Sequence, residues 1–79
     1  MSKANEQLLR CFASVFPSLQ PDELRSLSVD STGLWDSLAT VTLVAVIEEE
    51  CGVSIDPEIL PELTSYQAFL DNLEKEQAR

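Results

Sequence analysis

The segment from Ser37 to Cys51 contains neither proline nor glycine, and residues that start and stop helices stand at its two ends. Asp36 precedes it and is a good N-cap, because its carboxylate can accept hydrogen bonds from the first free backbone N–H groups. Gly52 follows it and tolerates the left-handed conformation that often ends a helix. A helix of this length in a chain of 79 residues must be covered by other elements, so it decides the fold class.

This predicted helix is apolar on two sides. One stripe shows the spacing of a buried helical face, and it consists of Leu43, Val46, Ile47 and Cys51. A second stripe consists of Leu38, Val41 and Ala45. A domain this small cannot easily bury both stripes, so we expect the first to lie in the core and the second to be a contact surface.

The residues before this helix predict one long helix and a long loop. Apolar side chains recur at helical spacing over residues 5–16, and Pro17 ends the pattern. Residues 18–33 form the loop, whose apolar anchors are Leu19, Leu24, Leu27 and Val29. Pro21 can open a short helical turn in this loop, because a proline at the first helical position loses no needed donor.

The residues after it predict two more helices. An N-cap at Asp56, a proline at the first helical position and an acidic first turn indicate a short helix over residues 56–60, which Pro61 closes. Thr64 and Gln67 have the spacing of a capping box, with Thr64 as the N-cap of a last amphipathic helix.

We therefore predict one domain over residues 1–79 with an all-α fold. It is a small four-helix bundle with three longer helices, a short third helix and a long first loop. Its core is expected to include Phe12, Phe16, Leu43, Ile47, Phe69 and Leu73.

The charge of the chain limits the classes of partner that it can bind. Fourteen acidic residues against five basic ones give a net charge of −9, and no lysine or arginine stands between residues 27 and 74. Such a surface repels phosphates, so nucleic acid and anionic membranes are poor partners. A protein with a basic surface fits better, and we expect the chain itself to be a monomer.

Histidine is absent, which removes the commonest general base, the Ser-His and Cys-His pairs and the histidine metal ligand. We therefore expect no enzymatic activity and no metal site. Cys11 and Cys51 stand among apolar residues, which predicts buried or half-buried free thiols in a reducing compartment, with a disulfide or redox role as the alternative. With no signal-peptide pattern and no apolar run near the roughly 18 residues of a membrane span, we expect a cytoplasmic protein.

The segment GLWDSL at residues 33–38, followed by an apolar helix with glutamates at 48–50 and a closing Gly52, resembles the acyl carrier proteins. The order of helices and the long first loop match that family along nearly the whole chain. In that family the serine of the Asp-Ser-Leu motif, here Ser37, carries a covalent 4′-phosphopantetheine arm. The resemblance implies a carrier that holds an acyl group as a thioester and delivers it between enzymes of lipid, polyketide or related biosynthesis.

The chemistry around Ser37 agrees with this implication. Ser37 stands next to the predicted N-cap, where the helix dipole and free N–H groups favour an attached phosphate. No histidine or lysine is near it in sequence to activate it as a nucleophile, which indicates a serine that another enzyme modifies. A second Asp-Ser pair, Asp30 and Ser31, is followed by Thr32 and Gly33 rather than by leucine and a helix, so we assign the attachment to Ser37 alone.

The resemblance also implies a partner surface. In the family, the acidic helix after the serine docks on basic patches of the phosphopantetheinyl transferase and of the enzymes that load and use the arm. Carried over position by position, this surface consists of Asp36, Leu38, Val41, Thr42, Ala45, Glu48 and Glu49. We interpret its acids as steering association, because exposed ion pairs add little stability.

Three residues depart from the commonest family pattern. Ala39 and Thr42 stand where fatty-acid-synthase carriers usually have acids, and Trp35 replaces a small residue. These changes favour a carrier for a specialised pathway, whose partners read Trp35 or the surface shape instead. Residues 39–41 are also similar to the D-alanyl carrier proteins, so an aminoacyl carrier is one alternative. An unmodified helical adaptor that binds a partner through the second stripe is another.

Overall fold

Helices account for most of the chain. The protein is described by a computed structural model over residues 3–30, 33 and 35–78. Over these residues the elements are α1 (Lys3–Val15), α2 (Pro21–Arg25), α3 (Ser37–Cys51), a 3₁₀ helix (Pro57–Glu62) and α4 (Tyr66–Gln77). α1 packs against α3, α4 and α2. The predicted all-α bundle is confirmed, and the described ranges contain no helix long and apolar enough to cross a membrane.

The two ends of α3 lie where the sequence predicts them. The Asp36 side chain accepts a hydrogen bond from the backbone N–H of Ala39 at 2.9 Å. Gly52 adopts a left-handed conformation with φ of 68°, and its N–H donates to the carbonyl of Glu48 at 3.0 Å. Both signals are local, because each depends on residues within one turn of the helix end.

The first helix and the long loop differ in detail from the prediction. α1 runs over Lys3–Val15, so it begins two residues earlier and ends one residue earlier than expected. The loop contains a full short helix, α2, which begins at Pro21 as its first residue. The backbone N–H of Gln20 donates to the Glu23 carboxylate at 3.0 Å, which caps the start of α2. The predicted helical turn is thus a helix of five residues, whose start is stabilised by the Glu23 carboxylate.

The prediction that Pro61 closes the short third helix is wrong. The 3₁₀ helix contains Pro61 and continues to Glu62, while Asp56 is its N-cap as expected. The N–H of Leu63 donates to the carbonyl of Leu60 at 3.1 Å. A 3₁₀ helix tolerates this proline because its only loss is one backbone hydrogen bond, the one that the missing N–H of Pro61 would donate.

The predicted capping box before α4 is also wrong. Ser65, not Thr64, is the N-cap, and its hydroxyl accepts from the N–H of Ala68 at 3.1 Å. The Gln67 side chain instead donates to Asp71 at 2.9 Å. The carbonyl of Thr64 accepts from the N–H of Val29 at 2.9 Å, so a contact with the distant first loop fixes this backbone before the helix starts.

The same contact holds the first loop against α4. Ser28 and Ser65 form an isolated antiparallel bridge, and the N–H of Tyr66 donates to the carbonyl of Leu27 at 2.9 Å. Leu24 and Leu27 are buried, and Leu19 and Val29 pack partly buried against the core, which confirms the predicted anchors. The loop that leads toward α3 is therefore tied to the bundle at a defined place.

An aromatic cluster centred on Phe12 fills the core. Four other rings lie with their centroids 4.9–6.2 Å from that of Phe12, and they belong to Phe16, Trp35, Tyr66 and Phe69. Three of these pairs meet edge to face, the geometry that aromatic quadrupoles favour. All six residues predicted for the core are buried, which confirms that prediction.

Candidate functional site

Ser37 is the first residue of α3, and it is exposed. Asp36 precedes it in extended backbone conformation, with φ of −114° and ψ of −174°, and it closes the first turn through the N–H of Ala39. The N–H groups of Ser37 and Leu38 have no acceptor within the helix, as at any helix start. An exposed hydroxyl thus lies beside open backbone donors and the positive end of the helix dipole, a setting that suits an attached phosphate.

Trp35, two residues before Ser37, is part of the core. Its side chain is 3% exposed, and its ring lies 5.5 Å from that of Phe12 and 5.9 Å from that of Phe69 between centroids. The expectation that a partner reads Trp35 on the surface is therefore wrong. The ring is buried because the aromatic cluster of the bundle extends under the start of α3.

The first turn of α3 is tied to this buried ring. The indole N–H of Trp35 donates to the hydroxyl of Thr40 at 2.7 Å, and that hydroxyl in turn donates to the carbonyl of Asp36 at 3.4 Å. Thr40 is not among the predicted site residues. Its position four residues after the N-cap, where a hydroxyl can reach the carbonyl one turn back, is the sequence signal for such a contact.

The second apolar stripe faces solvent. Leu38 is 72% exposed and Val41 is 55% exposed, and Ala45 follows them on the exposed side of α3. Thr42 is exposed as well, and its hydroxyl donates to the carbonyl of Leu38 at 2.9 Å. The structure therefore brings the predicted apolar contact residues together on one surface that begins directly after Ser37.

The predicted acidic residues differ in their surroundings. Glu48 is half-buried, and its carboxylate accepts a hydrogen bond from the backbone N–H of Ile55 at 2.8 Å. Glu49 and Glu50 are exposed. Glu48 thus fixes the chain that follows Gly52, a contact the sequence pattern does not indicate.

Parts of the predicted site lie outside the described residues. These are Ser31 of the rival Asp-Ser pair, Thr32 directly after it, and Leu34 of the GLWDSL segment. Within the described ranges, no three histidine, cysteine, aspartate or glutamate side chains converge so as to hold a metal ion. The chemistry of the site is therefore argued from the exposed hydroxyl of Ser37 and the start of α3.

We expect Asp36→Ala to lower the free energy of unfolding by about 1 kcal/mol, because the first turn of α3 loses the acceptor of its Ala39 N–H. Ser65→Ala is the matched variant, since Ser65 caps α4 through the N–H of Ala68 in the same way. Urea denaturation measures both losses, and amide exchange locates them at Ala39 and Ala68. An Asp36→Ala chain that unfolds with the parent's midpoint would contradict this role of the cap.

One comparison with known proteins bears on this site. A family model described as the phosphopantetheine attachment site matches residues 6–73 of the chain. The match begins within α1 and ends within α4. It therefore includes Ser37, the whole of α3 and most of the core.

Proposed function

The chain belongs to the phosphopantetheine attachment site family, and on that premise we propose that Ser37 is the residue that carries its 4′-phosphopantetheine. Members of this family are non-catalytic carriers with a covalently attached arm. The observation that supports Ser37 is its exposed hydroxyl at the first position of α3, directly after the capped Asp36. A phosphodiester there would lie beside the open N–H groups of the first turn.

When attached, the arm supplies a thiol that holds the transported group as a thioester. The residues of this chain supply position. Trp35 and Thr40 hold the first turn of α3 against the core, through the indole hydrogen bond and the contact between the Trp35 and Phe12 rings. Asp36 caps the same turn by accepting a hydrogen bond from the N–H of Ala39. Ser37 is thereby presented on a rigid helix end, where a modifying enzyme can reach its hydroxyl.

We propose that the transported group is an acyl group of a specialised lipid, polyketide or related pathway. Two positions near Ser37 support this. Ala39 and Thr42 are uncharged where fatty-acid-synthase carriers usually have acids. Ala39 is also partly buried against the core, and the Thr42 hydroxyl donates to the carbonyl of Leu38. The surface next to the serine is therefore less acidic than housekeeping fatty-acid-synthase partners usually meet. An aminoacyl carrier, as in D-alanyl transfer, is the alternative, and the identity of the thioester on purified loaded protein separates the two.

The proposed partners are the phosphopantetheinyl transferase and acyl-handling enzymes with basic surfaces. The apolar part of the proposed docking surface consists of Leu38, Val41 and Ala45. Its charged part consists of Asp36 and Glu49, which lie about 20 Å apart along the helix, with Glu48 between them on the chain. Glu48 already accepts from Ile55, so it contributes charge there from a fixed position.

The test of the carrier function is covalent. The unmodified chain is incubated with a phosphopantetheinyl transferase and coenzyme A, and its intact mass is recorded before and after. We expect the mass to rise by one arm, and peptide mapping to place that arm on the peptide that contains Ser37. A reaction without transferase is the control. An unchanged mass with a transferase that is active on another carrier would support the unmodified adaptor instead.

Glu49→Lys should slow association with the transferase and weaken the dependence of the association rate on salt. The reason is that an exposed carboxylate on the docking helix attracts a basic partner over several ångströms before contact. Glu74→Lys makes the same charge change on α4 and should have a smaller effect. Stopped-flow binding across a salt series measures both. Equal association rates of Glu49→Lys and Glu74→Lys at low salt would argue against steering by Glu49.

Leu38→Ala and Val41→Ala should act through the dissociation rate. Each removes exposed apolar surface beside Ser37, and truncating an interface residue that carries binding energy costs about 1 kcal/mol or more, so we expect complexes that dissociate about fivefold faster. Because both side chains are exposed, the stability of the free chain should change by less than about 0.5 kcal/mol. Dissociation rates that match the parent's for both variants would place the docking contact elsewhere.

A further inference from the structure

The turn that bears Ser37 is closed by a contact between two side chains. Trp35 directly precedes the N-cap Asp36, and Thr40 is the fourth residue of α3. An apolar pair at these two positions commonly fixes the angle at which a chain enters a helix. Here a hydrogen bond joins the pair instead, because the indole N–H of Trp35 donates to the Thr40 hydroxyl at 2.7 Å. Ser37 lies within the short segment that this bond closes.

The Trp35 end of this contact is held by the core. Its side chain is 3% exposed, and three rings lie with their centroids 5.5–5.9 Å from its own, those of Phe12, Phe16 and Phe69. The indole N–H therefore points in a direction that α1 and α4 determine. A buried donor is costly to leave without an acceptor, so the fixed indole favours the conformation that places the Thr40 hydroxyl beside it.

The Thr40 end transmits this constraint to the backbone of Ser37. The backbone N–H of Thr40 donates to the carbonyl of Asp36 at 3.1 Å, and the Thr40 hydroxyl donates to the same carbonyl at 3.4 Å. That carbonyl belongs to the peptide bond between Asp36 and Ser37. The first turn of a helix opens more easily than its middle, because fewer hydrogen bonds hold it. Thr40 thus stabilises the serine-bearing part of α3 at the end where opening would otherwise begin.

We propose that Thr40 is a positioning residue for attachment of the arm. Through its hydrogen bond with Trp35 it keeps the turn closed around Ser37, and it thereby sets the fraction of chains that a phosphopantetheinyl transferase can bind. This role rests on the proposed function, in which Ser37 carries the arm. Thr40 acts through the backbone and not on the reacting atoms, so its loss affects binding of the chain and not the rate of the chemical step.

The size of the effect depends on how often the turn is closed. The apparent affinity of a partner that binds only the closed turn falls in proportion to the closed fraction. Removing one net hydrogen bond shifts such an opening equilibrium by about tenfold. The KM of the transferase for the chain should rise less, by about threefold, because the turn is open in only a minority of parent chains. Its kcat should be unchanged, because every bound chain has a closed turn.

The test compares Thr40→Val with Thr40→Ser in the unmodified chain. Valine keeps the shape of threonine but offers the indole no acceptor, whereas serine keeps the hydroxyl. Trp35 is the only tryptophan of the chain, so its indole N–H gives a single NMR signal that reports on this bond directly. In Thr40→Val this N–H should exchange with solvent about tenfold faster, and KM should rise about threefold at unchanged kcat. Thr40→Ser should restore both values to those of the parent.

Two further variants separate positioning from a general loss of stability. Thr40→Ala also lacks the hydroxyl, and it should match Thr40→Val even if the branched side chain of valine disturbs the helix. Tyr66→Phe removes a side-chain hydrogen bond elsewhere, from the Tyr66 hydroxyl to the carbonyl of Asn5 at 3.1 Å. It should lower the stability of the chain without changing KM.

A KM equal to the parent's in both Thr40→Val and Thr40→Ala would overturn the proposal. So would an equal rise of KM in Tyr66→Phe, a fall in kcat as the only change, or a Thr40→Ser chain whose indole N–H exchanges as fast as that of Thr40→Val. These results leave the carrier function intact, because the parent is still modified on Ser37. A parent that the transferase does not modify would instead remove the assignment of Ser37, and the positioning role with it.

Discussion

Ser37→Ala is expected to abolish attachment of the arm completely. Under conditions in which a phosphopantetheinyl transferase modifies all of the parent chain, this variant should show no gain in intact mass. Alanine lacks the hydroxyl oxygen through which the phosphodiester forms. The fold should be unaffected, because the side chain is exposed at the first position of α3 and alanine is a favourable helix residue.

Two serine variants make this result specific. Ser65→Ala removes another serine at a helix start, and Ser31→Ala removes the serine of the rival Asp-Ser pair. Both chains should be modified to the same extent as the parent. Circular dichroism should show equal helix content in all four proteins. Any arm found on the Ser37→Ala chain would refute the assignment of Ser37, and its position by peptide mapping would name the true site.

The start and end of α3 are predictable from sequence because their causes are local. Asp36 meets the N–H of Ala39 within one turn, and Gly52 adopts a conformation that few other residues tolerate. The exposed stripe is predictable for a different reason. A chain this short has one core, so the stripe that begins at Leu38 is left outside once Leu43 and Ile47 are buried.

The support under Ser37 is not predictable in this way, because it depends on residues far apart in the chain. Whether Trp35 faces solvent or the core is decided by Phe12 and Phe69, which reach it from α1 and α4. The N-cap of α4 is decided in the same manner. Thr64 and Ser65 are both acceptable caps, and the hydrogen bond from Val29 to the Thr64 carbonyl selects the second.

Glu48 shows how one residue can carry two signals. Its place among the glutamates at residues 48–50 indicates a solvated acidic face, to which it contributes one negative charge. Its carboxylate nevertheless accepts from Ile55, a contact across the turn that begins at Gly52. A lysine at this position would change the charge and also remove the acceptor of the Ile55 N–H, which is why Glu49 alone tests electrostatic steering.

Phe12→Ala is expected to have the largest effect on stability of any single truncation in the chain. Phe12 is fully buried and contacts the rings of Phe16, Trp35, Tyr66 and Phe69. Removing a buried phenylalanine side chain typically costs about 3–5 kcal/mol, partly through lost burial and partly through the cavity left behind. Small domains have total stabilities of about 5–15 kcal/mol, so this loss removes a large part of the stability and should shift the urea midpoint far below that of the parent. Phe69→Ala should behave similarly, because its ring meets both Phe12 and Trp35.

The matched control is Leu38→Ala, which truncates a large apolar side chain at an exposed position of α3. Urea denaturation should show a large loss for Phe12→Ala and a change within about 0.5 kcal/mol for Leu38→Ala. Because the Trp35 ring rests on Phe12 and its indole N–H holds Thr40, the cavity should also loosen the first turn of α3. Amide exchange in the folded fraction of Phe12→Ala should then rise at Ala39 and Thr40 more than at the C-terminal end of α3. A Phe12→Ala chain that unfolds at the parent's urea midpoint would show that the aromatic cluster does not hold the bundle and the serine-bearing turn together.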